Sequence, residues 1–351
     1  MTFTIGIPVW NGERYLREAI ASALAQTRPA DEVIVVDDAS SDASAQIALE
    51  PCWSGRIRYI YNDNPSGFAD AFNRIARLAT SSYVVILSCD DVLDPDYLLH
   101  AESALRQHPS VRFCYSGYRN INKNGEEVGV SPEPHSLEPT FFRGKEYSSY
   151  YLQSVYTGRQ IHRFLGVAIA RDLLLNECPI RKQAGLIADN DLFVRVGAFT
   201  DVVGISQPLV RLRIHRDSVS NTVQSLSLRL AEDYLFLTCY HAANPMHLSP
   251  SDIEVYHKLA ERFINELLLS SLLRGRFEWL QRAVNLRIEL EKHAPLHRSD
   301  SSLLTRVLWV LALNPVAFSL LGFYTRSVRT LLNWAHRILR PRESNTTSTC
   351  N

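Results

Sequence analysis

The sequence predicts an α/β domain built on a mostly parallel sheet with helices on both faces, followed by a helical extension. Three observations carry that prediction. Over the first 115 residues, short β-rich runs alternate with segments of helical period. Two of those runs, Val33–Val36 and Val84–Leu87, are wholly apolar, as strands buried on both faces are. Both lead into adjacent carboxylates, Asp37-Asp38 directly and Asp90-Asp91 after Ser88 and Cys89. In open α/β sheets ligands bind outside the carboxyl ends of the strands, so both pairs fall on the binding edge.

Element by element, Thr4–Val9 is the first strand and Asn11-Gly12 a turn. Glu13–Gln26 follows as a helix with Tyr15, Leu16, Ala19, Ile20, Ala23 and Leu24 on one face. After the second strand, Ser41 and Asp42 suit the cap of a helix ending near Leu49. Arg56–Tyr61 is a third strand, Gly67–Ala79 a helix and Tyr83–Leu87 a fourth strand. Pro95 fits the first turn of a helix ending at Gln107, with Asp94 as its N-cap. Val111–Tyr115 is a fifth strand. From Gly117 to Tyr150 the pattern loosens, with a hairpin at Asn120–Gly125 and a proline-rich loop at 131–139. Strand and helix signals return through residue 213.

Adjacent carboxylates repel one another and need a positive partner. A hard divalent cation serves, because it prefers oxygen ligands and bridges phosphate oxygens. One acidic pair after a strand is common on protein surfaces. Two pairs on equivalent strand ends point to a phosphorylated ligand handled through a metal.

Bulk properties narrow the partners. Lysine plus arginine and aspartate plus glutamate both number 37 in 351 residues, so no global charge argues for nucleic acid. The six cysteines (52, 89, 114, 178, 239, 350) show no CxxC or CxxH spacing, and reduced thiols are expected. The chain enters a strand at Phe3 without a basic, apolar leader, which predicts a cytoplasmic location.

Residues 1–222 form the α/β domain in this reading. A helical extension at 223–302 contains Leu226–Tyr240, Asp252–Leu273 and Arg276–Lys292. Residues 303–342 differ: Val307–Tyr324 is apolar but broken by Asn314-Pro315, six arginines (306, 326, 329, 337, 340, 342) surround it, and no acid interrupts the segment. It is too short and broken for a full span, and fits interfacial helices against anionic lipid, hence peripheral contact with the inner face of the plasma membrane. A polar tail, 343–351, follows.

Several segments, in order, resemble the family 2 glycosyltransferases. Ile5-Gly6-Ile7-Pro8-Val9-Trp10-Asn11-Gly12 is similar to the family's opening strand and turn, and Ser22–Thr27 to the end of its first helix. Val35–Asp42 resembles the nucleotide-binding segment, Asn64-Pro65-Ser66-Gly67 with Asn73 the following loop and helix, and Leu87–Asp91 the DxD position. Ala188–Arg195 resembles the acidic catalytic segment and Leu212–Ser220 the closing one. The resemblance implies a GT-A fold and inverting transfer from a nucleoside-diphosphate sugar, with UDP the expected carrier and dTDP and GDP open. The implied acceptor is a glycan or polyprenyl-linked hydroxyl in bacterial surface polysaccharide synthesis.

It further implies Asp189 as the catalytic base and a donor site of Pro8, Asn11, Asp38, Asn64, Gly67, Asn73, Ser88, Asp90, Asp91 and Arg213. Asp38 would contact the base; Asp90 and His215 would hold a divalent Mg or Mn ion. Ser88 departs from the pattern, replacing the first aspartate of DxD and thinning the metal site's charge, and Ala188 replaces a frequent glutamate. Arg213 or Arg216 could contact the diphosphate. Asp191, two residues beyond Asp189, would point elsewhere. Arg159, His162 and Arg163 precede the apolar run Phe164–Ala170, which flanks the acceptor side in the fold resembled.

Two other classes compete. A sugar-phosphate nucleotidyltransferase would show a Gly-rich, basic phosphate loop after the first strand, where this chain has Trp10-Asn11-Gly12-Glu13. A non-catalytic nucleotide-sugar-binding protein is conceivable because of Ser88, but Asp90 and Asp189 argue against it.

Overall fold

A computed structural model describes residues 1–130, 140–215, 226–246, 248–274 and 276–293. The proline-rich stretch 131–139, Arg216 and the segments 303–342 and 343–351 lie outside these described residues. The chain divides into two compact units, Met1–Ala260 and Glu261 onward.

The first unit opens with β1 (Phe3–Val9), α1 (Leu16–Leu24), β2 (Glu32–Asp37), α2 (Ser44–Ala48), β3 (Arg58–Tyr61), α3 (Phe68–Leu78) and β4 (Tyr83–Ile86). There follow β5 (Val92–Leu93), α4 (Tyr97–Gln107), β6 (Phe113–Ile121), β7 (Glu127–Val130), β8 (Thr140–Phe142), α5 (Gly144–Tyr156) and β9 (Val167–Ala170). A 3₁₀ turn at Lys182–Ile187 leads into α6 (Ala188–Val196), then β10 (Val202–Arg213) and α7 (Leu226–Ala243), and α8 (Pro250–Arg274) begins in this unit and continues into the second. Unit two includes α9 (Phe277–His293), whose Arg287 pairs with Glu261 at 2.5 Å and Glu291 at 2.8 Å.

The ten strands of the described residues join one sheet in the order β3-β2-β1-β4-β9-β6-β10-β5, with β7 beside β6 and β8 beside β10. Strands β3, β2, β1 and β4 are mutually parallel, as their alternation with helices predicts. Their side chains form the core: Phe3, Ile5, Ile7, Val35, Val84 and Val85 are wholly buried. The predicted face of α1 packs here too, with Leu16, Ala19, Ile20 and Ala23 inaccessible. Each large aliphatic side chain removed from water this way contributes about 1.5–3 kcal/mol.

Topology also fixes which strand ends coincide. Strand β9 runs antiparallel to both β4 and β6, and β10 runs parallel to β6. Hence β10 points the same way as β4, and its carboxyl end reaches the edge that carries the two acid pairs. Pro208, which cannot donate to a ladder, sits at the irregularity between Ile205 and Val210 of β10.

Two local expectations change. Strand β6 continues to Ile121, past the point where the sequence pattern loosens, because β10 pairs with it along its length. The hairpin follows directly, closed by the Asn122 amide on the Glu126 carbonyl at 2.9 Å. Asp94 is not the N-cap of α4, which begins at Tyr97 without a side-chain cap. Its carboxylate instead pairs with Arg119 and, at 2.7 Å, with Arg211, tying the β5 segment to β6 and β10.

Candidate active site at the carboxyl edge of the sheet

The edge is organised first by the β1–α1 and β2–α2 loops. Asn11 adopts the left-handed region (φ 52°), which asparagine tolerates, and its side-chain oxygen accepts the Ser41 amide at 2.8 Å. The Gly12 amide donates to Ser44 Oγ at 2.9 Å. A Cβ on Gly12 would lie 2.7 Å from Val9 Cγ2 and 2.9 Å from Cys89 Sγ, so only glycine lets this turn approach the 88–91 loop. Ala39 holds φ at 63°, strained for alanine, while Asp37 accepts the Ser40 amide and the Tyr59 hydroxyl, each at 2.8 Å. Pro8 pairs with Val36 in the parallel ladder.

Asp38 is buried and fully engaged. Its carboxylate accepts from Asn62 Nδ2 and Ser66 Oγ at 2.7 Å and from the amides of Ser66 and Gly67 at 2.8 Å. Burial alone pushes the carboxyl up, but the bonds from Ser66, Asn62 and Gly67 outweigh it and hold it below the usual range. Asp38 thereby shapes the loop from Asn62 to Gly67 at the head of α3, where Asn64 is exposed. Asp38→Asn would set an amide against those donors. It is expected to cost about 2 kcal/mol, read as a denaturant midpoint shift, and to speed exchange of the Ser66 and Gly67 amides. An unshifted midpoint at neutral pH would contradict that role. The contribution is present above the ordinary carboxylate pKa and disappears as pH falls through the depressed folded value.

Farther along α3, Asn73 clamps the backbone of Ile180, donating to its carbonyl at 2.8 Å and accepting its amide at 3.0 Å. Both ends of the amide are therefore committed to the chain itself, and its role here is to anchor the segment leading to α6.

The 88–91 loop meets the end of β10. His215 Nε2 lies 3.0 Å from Asp90 Oδ2, and the imidazole packs on Tyr15 with ring centroids 5.0 Å apart. Asp91 is buried; it accepts the Arg213 amide at 2.8 Å, and the Ser88 side chain faces it. Burial, and then the neighbouring Asp90, drive its carboxyl well up. Arg213 differs from the expectation of a guanidinium facing a diphosphate. It lies over the Tyr15 ring at 4.5 Å and donates to the Asp90 carbonyl at 2.8 Å and to Glu18 at 2.5 Å. It bolts β10 and α1 to the acidic loop, an interaction between residues 195 positions apart that the sequence does not signal.

Asp189 stands in the first turn of α6, half-buried, with the Asn190 amide on its Oδ1 at 2.8 Å. Burial raises its carboxyl above the ordinary range, against the opposing pull of that amide and of Arg163. Asp191 points the other way. It is inaccessible and contacts Arg195 at 2.8 Å, Arg181 at 3.5 Å and His241 at 3.6 Å.

The turn before α6 is held by α7. Asp233 accepts the Leu186 amide at 2.8 Å, Tyr234 receives Asn190 Nδ2 at 3.4 Å and His241 faces Asp191. Gly185 (φ 57°) has no room for a Cβ, because the Asp233 carboxylate occupies that space. Burial pushes Asp233 up to about 6. These supports, and Tyr59, Asn62 and Glu18, carry no motif that a single sequence reveals, and Ser66 lies in the Asn64–Gly67 segment without being singled out there. His162, just before the apolar run Phe164–Ala170, is wholly buried against Tyr147 (2.7 Å), and burial drives it down to about 3, so it stays neutral.

Among the described residues, no group of three or more histidine, cysteine or acidic side chains could cage a metal. The five described cysteines are all free. No described helix is long and apolar enough to cross a membrane.

Comparison with known proteins agrees with this architecture. Residues 4–165 match the family described as Glycosyl transferase family 2. An uncharacterized glycosyltransferase of Rickettsia bellii is 38% identical over 124 residues, covering 35% of this chain and 18% of the relative. The putative glycosyltransferase EpsH of Bacillus subtilis is 24% identical over 265 residues, covering 74% of this chain and 72% of that one. Chondroitin synthase of Escherichia coli is 33% identical over 126 residues, 36% of this chain and 18% of the relative. The matches to rickettsial relatives span only 18% to 39% of those proteins' lengths. In three dimensions the chain is similar to S. aureus TarS 1-349 in complex with UDP-GlcNAc, with TM-score 0.62 and 16% identity over 94% of this chain and 92% of that one. The mixed sheet flanked by helices is the GT-A fold expected from the sequence. The match to glycosyl transferase family 2 thus spans the part of the chain that runs from β1 past α5 and carries both acid pairs at the strand ends.

Proposed function

We propose that the protein transfers a sugar, with inversion, from a nucleoside-diphosphate sugar to a hydroxyl of a glycan or lipid-linked acceptor, in the synthesis of a bacterial surface polysaccharide. The observation that carries this reading is the meeting of Asp90 and His215 at 3.0 Å on the edge that also presents the Asp38 loop. The complexes of S. aureus TarS with UDP and with UDP-GlcNAc support a uridine nucleotide sugar as donor. The likeness to a chondroitin synthase supports a glycan acceptor.

In this reading the acceptor oxygen forms its bond to the anomeric carbon as the bond to the diphosphate oxygen breaks. The diphosphate leaves with the electron pair, and Asp189 takes the hydroxyl proton. Burial suits Asp189 to that task, because a raised pKa makes the carboxylate a stronger base. Asp90 and His215 are the residues that would hold a divalent ion, since a carboxylate oxygen and an imidazole nitrogen lie 3.0 Å apart there. An ion bound there would neutralise charge on the leaving diphosphate. Arg213, through Glu18 and the Asp90 carbonyl, holds the loop in place, and Asp38 sets the Asn62–Gly67 wall of the nucleotide cleft.

Titration with UDP, with and without Mn²⁺, tests the donor site. UDP is expected to bind about tenfold or more tightly with the metal, and Asp90→Ala to remove that gain. Metal-independent binding, equal in wild type and variant, would contradict the assignment of Asp90.

A further inference from the structure

Arg163 is a half-buried cation with no counterion among the described residues. Its guanidinium lies over the Tyr118 ring at 5.7 Å, and its Nε is shut away from solvent without a protein hydrogen-bond partner. Among the described residues it makes no ion pair, although charged groups removed from water are ordinarily paired. The segment that carries it rides on the start of α6. Gln160 donates to Asn190 at 3.0 Å, and Phe164 packs on Phe193 with ring centroids 5.6 Å apart. Arg163 therefore projects beside Asp189, close enough for its charge to lower that carboxyl but without forming a salt bridge to it.

We propose that Arg163 is an acceptor subsite that binds a phosphate or carboxylate group of the acceptor while Asp189 receives the hydroxyl proton. The assignment rests on the glycosyltransfer reading above. In an inverting displacement the base and the leaving diphosphate lie on opposite faces of the sugar. A cation beside Asp189 thus stands on the acceptor side, whereas Asp90 and His215 mark the diphosphate side. A guanidinium matches the geometry of either anionic group. The uncompensated charge makes Arg163 a selector for acidic acceptors over neutral ones.

The test uses the full-length protein saturated with UDP and Mn²⁺, titrated separately with inorganic phosphate, glucuronate and glucose. Wild type is expected to bind phosphate or glucuronate, and the arm that responds identifies the anion. Arg163→Gln should weaken that binding about tenfold or more, Arg163→Lys less, with UDP affinity unchanged in both. Anion binding that is absent in wild type, or equal in the variants, would overturn the proposal. A parallel fall of UDP affinity in Arg163→Gln would overturn it differently, by assigning the guanidinium to the donor diphosphate. Failure of wild type to bind UDP at all would instead defeat the donor reading, and the subsite with it.

Discussion

Asp189→Asn is expected to reduce sugar transfer by about 10²–10⁴-fold while leaving donor affinity nearly unchanged. The amide keeps the carbonyl that accepts the Asn190 amide, so the first turn of α6 should survive, but it cannot take a proton. In wild type the rate should fall on the acidic side as pH drops through the Asp189 pKa. Because burial raises that pKa, the fall begins above the ordinary aspartate range. Stability moves the other way. A carboxyl whose folded pKa is raised favours the folded state below its unfolded pKa, and that advantage is lost as pH rises through the folded value. Above its folded pKa the half-buried Asp189 carboxylate is therefore a cost, and there Asp189→Asn should melt slightly higher than wild type. Rate profiles and melting curves against pH check both signs. Full activity in the variant would refute the assignment of the base.

Asp191→Ala is expected to be among the most destabilising single changes in the first unit, by about 3–5 kcal/mol. Asp191 is 0% and Arg195 3% exposed, and removing the carboxylate leaves the guanidinium buried with only the Pro179 carbonyl (2.6 Å) and Cys178 Sγ (3.2 Å). Arg181, stacked on Tyr240 at 3.8 Å, loses its counterion as well. Burial pushes the Asp191 carboxyl up, but His241, Arg195 and Arg181 outweigh that and hold it below the usual range. Its contribution is thus present above the unfolded carboxylate pKa and lost as pH falls through the depressed folded value. The variant's midpoint in urea at neutral pH, against wild type, measures the effect. A shift below about 1 kcal/mol would show that the cluster relaxes and the charge finds water.

Asp189 and Asp191 show what the sequence conveys and what it withholds. Two carboxylates two positions apart on a helix must face different ways, and the structure leaves Asp189 partly exposed while Asp191 enters a cationic cluster. The parallel half of the sheet was equally legible. Continuous apolar runs ending in acids mark strands covered on both faces, and β2 and β4 carry them. Strand β9 was legible as apolar, but not as an antiparallel strand between β4 and β6, since burial on both faces looks the same in either direction. Arg213 was legible as a candidate diphosphate contact, but not as the residue that ties β10 to α1. Its bond to Glu18 depends on how β10 returns to α1, and tertiary contacts of that range leave no local pattern. The same holds for Asn62 and Ser66, whose donors converge on Asp38 only once β3 and α3 lie beside β2. Asp94 failed for a related reason: a good capping residue was claimed by Arg119 and Arg211 across the sheet.

Breaking of a sugar–diphosphate bond at this edge is read from the identity of the product. The purified protein is incubated with Mn²⁺ or Mg²⁺ and a panel of UDP-, dTDP- and GDP-sugars, and the nucleotide released is identified. Release of nucleoside diphosphate from at least one donor is expected, uridine nucleotides first among them, with its loss in Asp189→Asn. Release of pyrophosphate from a sugar phosphate and a nucleoside triphosphate, with no nucleoside diphosphate from any donor, would contradict it.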